Sequence, residues 1–234
     1  MTMGSTCMEV TLAGHTDLAG FRDEARQLLA HQVAPEDVQW QMEPPGDQYL
    51  DPQSLQSSRP RNVARAATAI VPASFTRLCE FVVPHRDPAR FSLLYRLLWR
   101  LVHEPGLRND PLDPDMQQAQ HMAHAVRRDI HKMKANLRMR ALRDARGREL
   151  HVGCYEPAHH IVEVVGPWLA KRLPASRWAV FSPDRSVRLE DGRLLFGPGV
   201  PSSALPRYDA DDAEWLATYE RVFATQDAAT KGHA

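Results

Sequence analysis

Long apolar runs are missing from this 234-residue chain: none approaches the roughly 18 residues that a membrane span requires. No basic stretch followed by an apolar one opens the N-terminus, so neither secretion nor membrane insertion is expected. Cysteine is scarce, with only Cys7, Cys79 and Cys154. They are widely spaced, odd in number and form no CxxC pair that could begin a zinc site or a redox motif, and the expected setting is a reducing cytoplasm. Glycine-rich phosphate loops, G-x-S-x-G and H-E-x-x-H are absent as well, which removes the usual nucleotide-binding, hydrolase and metalloprotease signatures. Net charge is zero, 29 Lys and Arg against 29 Asp and Glu, so no global field advertises a polyanionic partner.

What is present is a globular composition, 43% hydrophobic and 25% charged. The length suits one large core or two small ones. One continuous domain is expected over residues 1–223, followed by a disordered tail at 224–234. Met8 to Leu12 alternates as a strand, and Thr16 is placed to cap a helix carrying Leu18, Phe21, Ala25, Leu28 and Leu29 at helical spacing. Val38 and Trp40 begin a second short alternating run. Residues 43–61, rich in Pro, Ser and Gln, read as a flexible surface loop. A helix is expected from Ala73 to Val83. Asp87-Pro88 then gives a start signal, a capping carboxylate before a residue with no N–H to lose, for a helix turning Phe91, Leu94, Tyr95, Leu98 and Leu101 inward and Arg90, Arg96 and Arg100 away.

Gln117 to about Arg143 has the strongest helical period. Met122, Val126, Ile130, Met133 and Leu137 fall in one arc, and Arg127, His131, Lys134 and Arg138 in a neighbouring one, about 16 Å long at the helical rise. Gln117 to Arg148 holds nine Lys and Arg against two Asp, a local net of +7 that the rest of the chain balances. Beyond it, Leu150, Val152 and Cys154 alternate as a strand. Glu156-Pro157 is expected to open a helix through Ile161, Val164, Val165, Trp168 and Leu169. Trp178 to Phe181, Val187 to Leu189 and Arg193 to Phe196 read as strands, the last two joined by a hairpin turn at Asp191-Gly192. A final helix is expected over Asp211 to Phe223. The fold class is α+β: a small mixed sheet with a largely helical middle, residues about 73–143.

The basic ridge, with Arg127, Arg128, Lys132, Lys134 and Arg138, suits a phosphate backbone; the alternative is a solvated face neutralised by Asp110, Asp113 and Asp115. Asp129 is either a buried anchor or a general acid or base. His131 and Lys132 suit proton transfer or phosphate contact. Glu156-x-x-His159 has the spacing of a metal half-site, but no second Glu-x-x-His completes it, so neither metal nor cofactor is expected. Glu156 otherwise serves as an anion at a helix start, and His159 and His160 as structural histidines. Asp184 either stabilises a turn or faces the same site. His121 and His124, spaced i and i+3, have no carboxylate on their arc and read as a coincidental pair. Asp129, His131, Glu156 and His159 are expected to converge in space.

His85-Arg86-Asp87-Pro88-Ala89-Arg90-Phe91, Leu94 to Arg100 and Ala125-Val126-Arg127-Arg128-Asp129-Ile130-His131-Lys132-Met133 resemble, in order, the blocks of an uncharacterised bacterial family of DNA-metabolism or DNA-repair proteins. Pro35 to Val38, Glu156-Pro157-Ala158-His159-His160-Ile161, Trp178 to Ser186 and Phe196-Gly197-Pro198-Gly199 resemble its other blocks, so the resemblance spans nearly the whole chain. Where that family commonly carries Phe-Arg-Phe-Arg-Glu, this chain has Leu137-Arg138-Met139-Arg140-Ala141, and where it has a second Glu before the paired histidines this chain has Ala158.

The resemblance implies DNA as a partner, association with a radical-SAM repair protein, and kinship with domains found N-terminal to uracil-DNA-glycosylase-like domains. His85, Arg86, Asp87 and His160 enter as structural or site residues. Three functions follow as expectations: a DNA-repair accessory or DNA-processing protein that binds nucleic acid along the ridge, an adaptor for the radical-SAM enzyme, and a lesion-processing enzyme using Asp129, His131, Glu156, His159 and Asp184.

Overall fold

A computed structural model of the chain describes residues 7–43 and 71–231, except 105, 108, 109, 111 and 175. The loop expected at 43–61 lies outside the described residues apart from Glu43. The alternation at Met8–Leu12 becomes strand β1, which places Val10 and Leu12 inward. Helix α1 (Leu18–Ala30) buries Phe21, Ala25 and Leu28, and β2 (Val38–Met42) returns parallel to β1 with Val10 opposite Trp40. Asp17, not Thr16, caps α1: its Oδ1 accepts the Gly20 N–H at 2.8 Å, reaching the third helical residue as a cap must.

Helices α2 (Ala73–Val82) and α3 (Arg90–His103) follow. Phe21, Trp40, Phe91 and Tyr95 meet ring to ring, with centroids 5.2–6.1 Å apart, around the centre of this part of the core. Helix α3 begins two residues later than the Asp87-Pro88 signal suggests. The Asp87 carboxylate instead accepts the Ala89 N–H, at 2.8 Å, in the turn that leads into the helix. Arg90 does not point away: it is 1% exposed, and its guanidinium donates to the carbonyls of Val83, Asp87 and His15 at 2.7–3.0 Å. Three carbonyl acceptors, two in the α2–α3 link and one ahead of α1, make burial of the charge tolerable.

Helix α4 runs Pro114–Asn136. Met122, Val126 and Met133 of the apolar arc are buried, while Ile130 is partly exposed. The helix ends before Arg143 because Arg140–Arg143 is a strand, β3, which pairs antiparallel with β4 (Glu149–Cys154) and buries Leu142. The turn between them is built on Asp144, whose carboxylate accepts the N–H groups of Arg146 and Arg148. Residues Val162–Arg172 form α5, Trp178–Phe181 β5, Arg185–Glu190 β6 and Arg193–Pro198 β7. The five strands form one mixed sheet in the order β3-β4-β5-β6-β7, with only β4 and β5 parallel. Asp191 and Gly192 have φ of 50° and 73°, the left-handed values of the expected hairpin turn.

Phe196 and Gly197 point to opposite faces of the sheet, and the helices cover both. Gly166 of α5 lies against Phe196 and Val187, and Gly197 lies against Phe223 of α6 (Asp212–Lys231), a helix that continues past its expected end at Phe223. Trp215, Val222 and Phe223 pack with Leu150, Val152, Ala179 and Phe181 on the α6 side. The class is thus α+β, as expected, with two-stranded and five-stranded sheets. The chain groups into two compact units: β1 to α3 with α4 through Arg128, and α4 from Asp129 through α6. No helix among the described residues is long and apolar enough to cross a membrane.

Candidate functional site

In the second unit β4, β5 and β7 all end on the same edge of the sheet, and their outgoing loops carry most of the polar candidates. The carboxyl ends of parallel strands are where ligands bind in many α/β sheets, because loops and helix starts converge there. After β4 the chain makes one more ladder bond, Tyr155 N–H to the Phe181 carbonyl at 3.0 Å, and then runs as a loop to Ile161. Helix α5 therefore begins at Val162 rather than at Glu156-Pro157. Partners distant in sequence hold the loop open: Asp129 Oδ2 accepts the His159 N–H at 2.9 Å, and Glu156 accepts the Ser202 hydroxyl at 2.8 Å.

His160 Nδ1 and Asp184 Oδ2 are 3.2 Å apart, joining this loop to the one after β5. Glu163, in the first turn of α5, pairs with the largely buried Arg185 at 3.0 Å. The Ser182 hydroxyl donates to the Arg185 carbonyl at 2.7 Å and tightens the β5–β6 turn. Burial, followed by the Glu156 charge, pushes the Cys154 thiol up to about 12. Burial and then Asp129 raise the Tyr155 hydroxyl in the same sense. A carboxylate-held imidazole such as His160 suits proton transfer or the orientation of a ligand. Asp129, at 7% exposure with its oxygen on a main-chain N–H, is built as an anchor between α4 and the loop.

Asp129 and His159 are thus brought together, through the His159 main chain. His131 is not: residues two apart on a helix lie roughly 200° around its axis, and with Asp129 buried His131 is exposed on the other side. Asp184 reaches His160 rather than His159. His121 and His124 are both exposed on α4. In the first unit His85 Nδ1 accepts the Asp87 N–H at 3.1 Å, so that His85 and Asp87 shape the entry to α3.

The ridge residues Arg127, Arg128, Lys132, Lys134 and Arg138 are all exposed. Arg138 lies past the end of α4, in the link to β3. Two of the three acids expected to neutralise the ridge are committed elsewhere: Asp113 pairs with Arg100 at 2.7 Å, and Asp115 with Arg96 at 2.7 Å and Arg100 at 3.1 Å. Among the described residues none of the five ridge cations pairs with a carboxylate. Two rest on rings instead, Arg127 over Phe81 at 4.2 Å and Lys134 over Trp168 at 4.6 Å.

Val164 and Trp168, which fit the helical period of α5, are 39% and 38% exposed. Val162, Val165, Gly166 and Leu169 already fill the face of α5 that meets the sheet, so the next line of side chains is left outside. Exposed Lys171 and Arg172 extend that outer line, and no motif in the sequence marks them.

A mixed sheet covered by helices, polar loops at one end of it and a row of exposed cations with no carboxylate partner among the described residues define an α+β protein. Residues 88–228 match the model of a domain of unknown function, DUF4130, and the chain belongs to that family. No curated protein and no solved structure matches the chain.

Proposed function

We propose that the protein is a DNA-repair accessory or DNA-processing protein that binds nucleic acid through the basic face of α4. The observation that carries this reading is the lack of carboxylate partners for Arg127, Arg128, Lys132, Lys134 and Arg138 among the described residues, while Asp113 and Asp115 are spent on α3. Exposed cations without carboxylate partners along α4, continued by Arg138 just past its end, match the regular charge of a phosphate backbone. They offer no evident set of base-reading side chains, so binding is weak and largely independent of sequence. Replacing Arg127, Lys134 and Arg138 together with Ala flattens the slope of log affinity against log salt by about 2 to 3, at roughly 0.9 per phosphate contact. An unchanged slope removes this face from the interface.

A second reading, an adaptor for a radical-SAM repair enzyme, is favoured by the polar loops. Asp129, Glu156 and His160 are directed to three different partners, a main-chain N–H, a serine and an aspartate, rather than to one reacting point. Affinity purification with and without nuclease separates the two readings. A partner retained after nuclease treatment supports the adaptor, and one lost with the nucleic acid supports direct binding.

A further inference from the structure

We propose that Trp168 is a stacking platform for an unpaired base, which makes the basic face of the second unit selective for single-stranded over duplex nucleic acid. This rests on the reading that the basic face binds nucleic acid, and it adds the form of nucleic acid preferred.

Trp168 is not needed to fill the core. Trp178 and Trp215, in the same unit, are 0% and 2% exposed, whereas Trp168 keeps 38% of its surface in solvent on a helix whose inner face is already packed. Its neighbours one turn along α5 are Val164 on one side and Lys171 and Arg172 on the other. From α4 the Lys134 ammonium lies 4.6 Å from the ring centroid. Among the described residues Lys132, Lys134, Arg138, Lys171 and Arg172 have no carboxylate partner. An indole with Lys134 on its ring and Lys171 and Arg172 one turn along its own helix offers a π face and phosphate contacts together.

An acidic peptide would use the charge but leave the ring without a matching surface, and a bilayer would meet only two apolar side chains. A single strand supplies both an unstacked base and its phosphates. In a duplex the base faces are already stacked on one another, and only the phosphates remain. The Lys134 side chain is long and exposed. As a base takes its place against the indole, it swings to a phosphate, so both groups gain a partner.

The test measures fluorescence anisotropy of the full chain with labelled oligothymidylate, an abasic strand of equal length and a duplex of equal length, at one salt concentration. The wild type should bind oligothymidylate more tightly than the abasic strand or the duplex. Trp168→Ala should weaken oligothymidylate binding by roughly 5- to 150-fold, the range for loss of one stacked base. It should leave the abasic strand and the duplex within about twofold, and Trp168→Phe should recover most of the loss.

Equal wild-type affinity for oligothymidylate and the abasic strand overturns the stacking role without recourse to any variant. An equal loss for all three ligands in Trp168→Ala overturns it as well. In both cases binding by the basic face still stands. If none of the three ligands binds the wild type, the nucleic-acid reading itself falls, and an acidic protein surface takes its place.

Discussion

The Asp129 carboxylate accepts the main-chain N–H of His159 at 2.9 Å, which ties the last turns of α4 to the loop between β4 and α5. The carboxylate is buried, so its role is to hold the loop rather than to meet a solvent-borne substrate. Asp129→Ala leaves the N–H unpaired and should cost about 1.5–3 kcal/mol, the usual range for a hydrogen bond to a charged group. Asp129→Asn keeps an oxygen in place and should cost less. Chemical denaturation of both variants checks the order, with nucleic-acid affinity of the folded protein unchanged. Equal stability of Asp129→Ala and wild type would show that the anchor carries no weight.

Asp87 acts at a distance of only two residues, accepting the Ala89 N–H at 2.8 Å ahead of α3. It also opposes the burial that pushes the Arg90 guanidinium down to about 10, since its negative charge favours the cation. Asp87→Ala should therefore lower stability by about 1 kcal/mol for the lost turn hydrogen bond, and somewhat more for the lost charge. Asp87→Asn keeps the acceptor and isolates the charge. Thermal melting of the pair separates the contributions. A variant that melts like wild type but loses DNA binding would instead place His85, Arg86 and Asp87 in the interface.

Local signals were enough wherever the structure is decided locally. The short apolar run Trp178 to Phe181 and the Asp191-Gly192 turn are legible without any distant partner. Strand β3 was hidden because Arg140-Ala141-Leu142-Arg143 buries only Leu142 and continues the basic pattern of α4. Glu156-Pro157 has the chemistry of a helix start, but Asp129 and Ser202, remote in sequence, hold it as a loop. Trp168 fits the helical period of α5 and is still exposed, since the sheet accepts only one face of that helix. The charge of Arg90 predicts an outward side chain, and only the fold brings three carbonyls to it.

Asp144 should make part of the stability pH-dependent. Burial raises its carboxyl, but the Arg148 N–H, the Arg177 guanidinium at 2.9 Å and the Arg146 N–H outweigh that and hold it at about 2. The folded value lies below the ordinary one of roughly 3.9. The contribution is therefore present in full above the unfolded pKa and disappears as pH falls through the folded one. The Tm difference between wild type and Asp144→Asn should be constant near neutrality and shrink between about pH 5 and pH 2. A difference that does not change over that interval excludes Asp144 as its source.

Gly199 follows β7 and lies directly on the Pro183 carbonyl in the loop after β5. A Cβ at this position would overlap the Pro183 oxygen and come within 2.8 Å of the Asp184 carbonyl carbon. These are backbone atoms, so no side-chain rotation relieves the clash, and the Val200 N–H to Ser182 carbonyl bond of 2.9 Å resists separation of the two loops. Gly199→Ala should destabilise the protein by about 1–3 kcal/mol, as overpacking typically does. Gly14→Ala is the control, because nothing lies within 4 Å of a Cβ there. The displaced loop carries Asp184, which holds His160 Nδ1 at 3.2 Å. The imidazole NMR signals of His160 should therefore shift in Gly199→Ala while those of exposed His121 and His124 stay in place. Loss of stability without a His160 shift would mean that the β7 loop yields instead, and that the Asp184–His160 pair is set independently of Gly199.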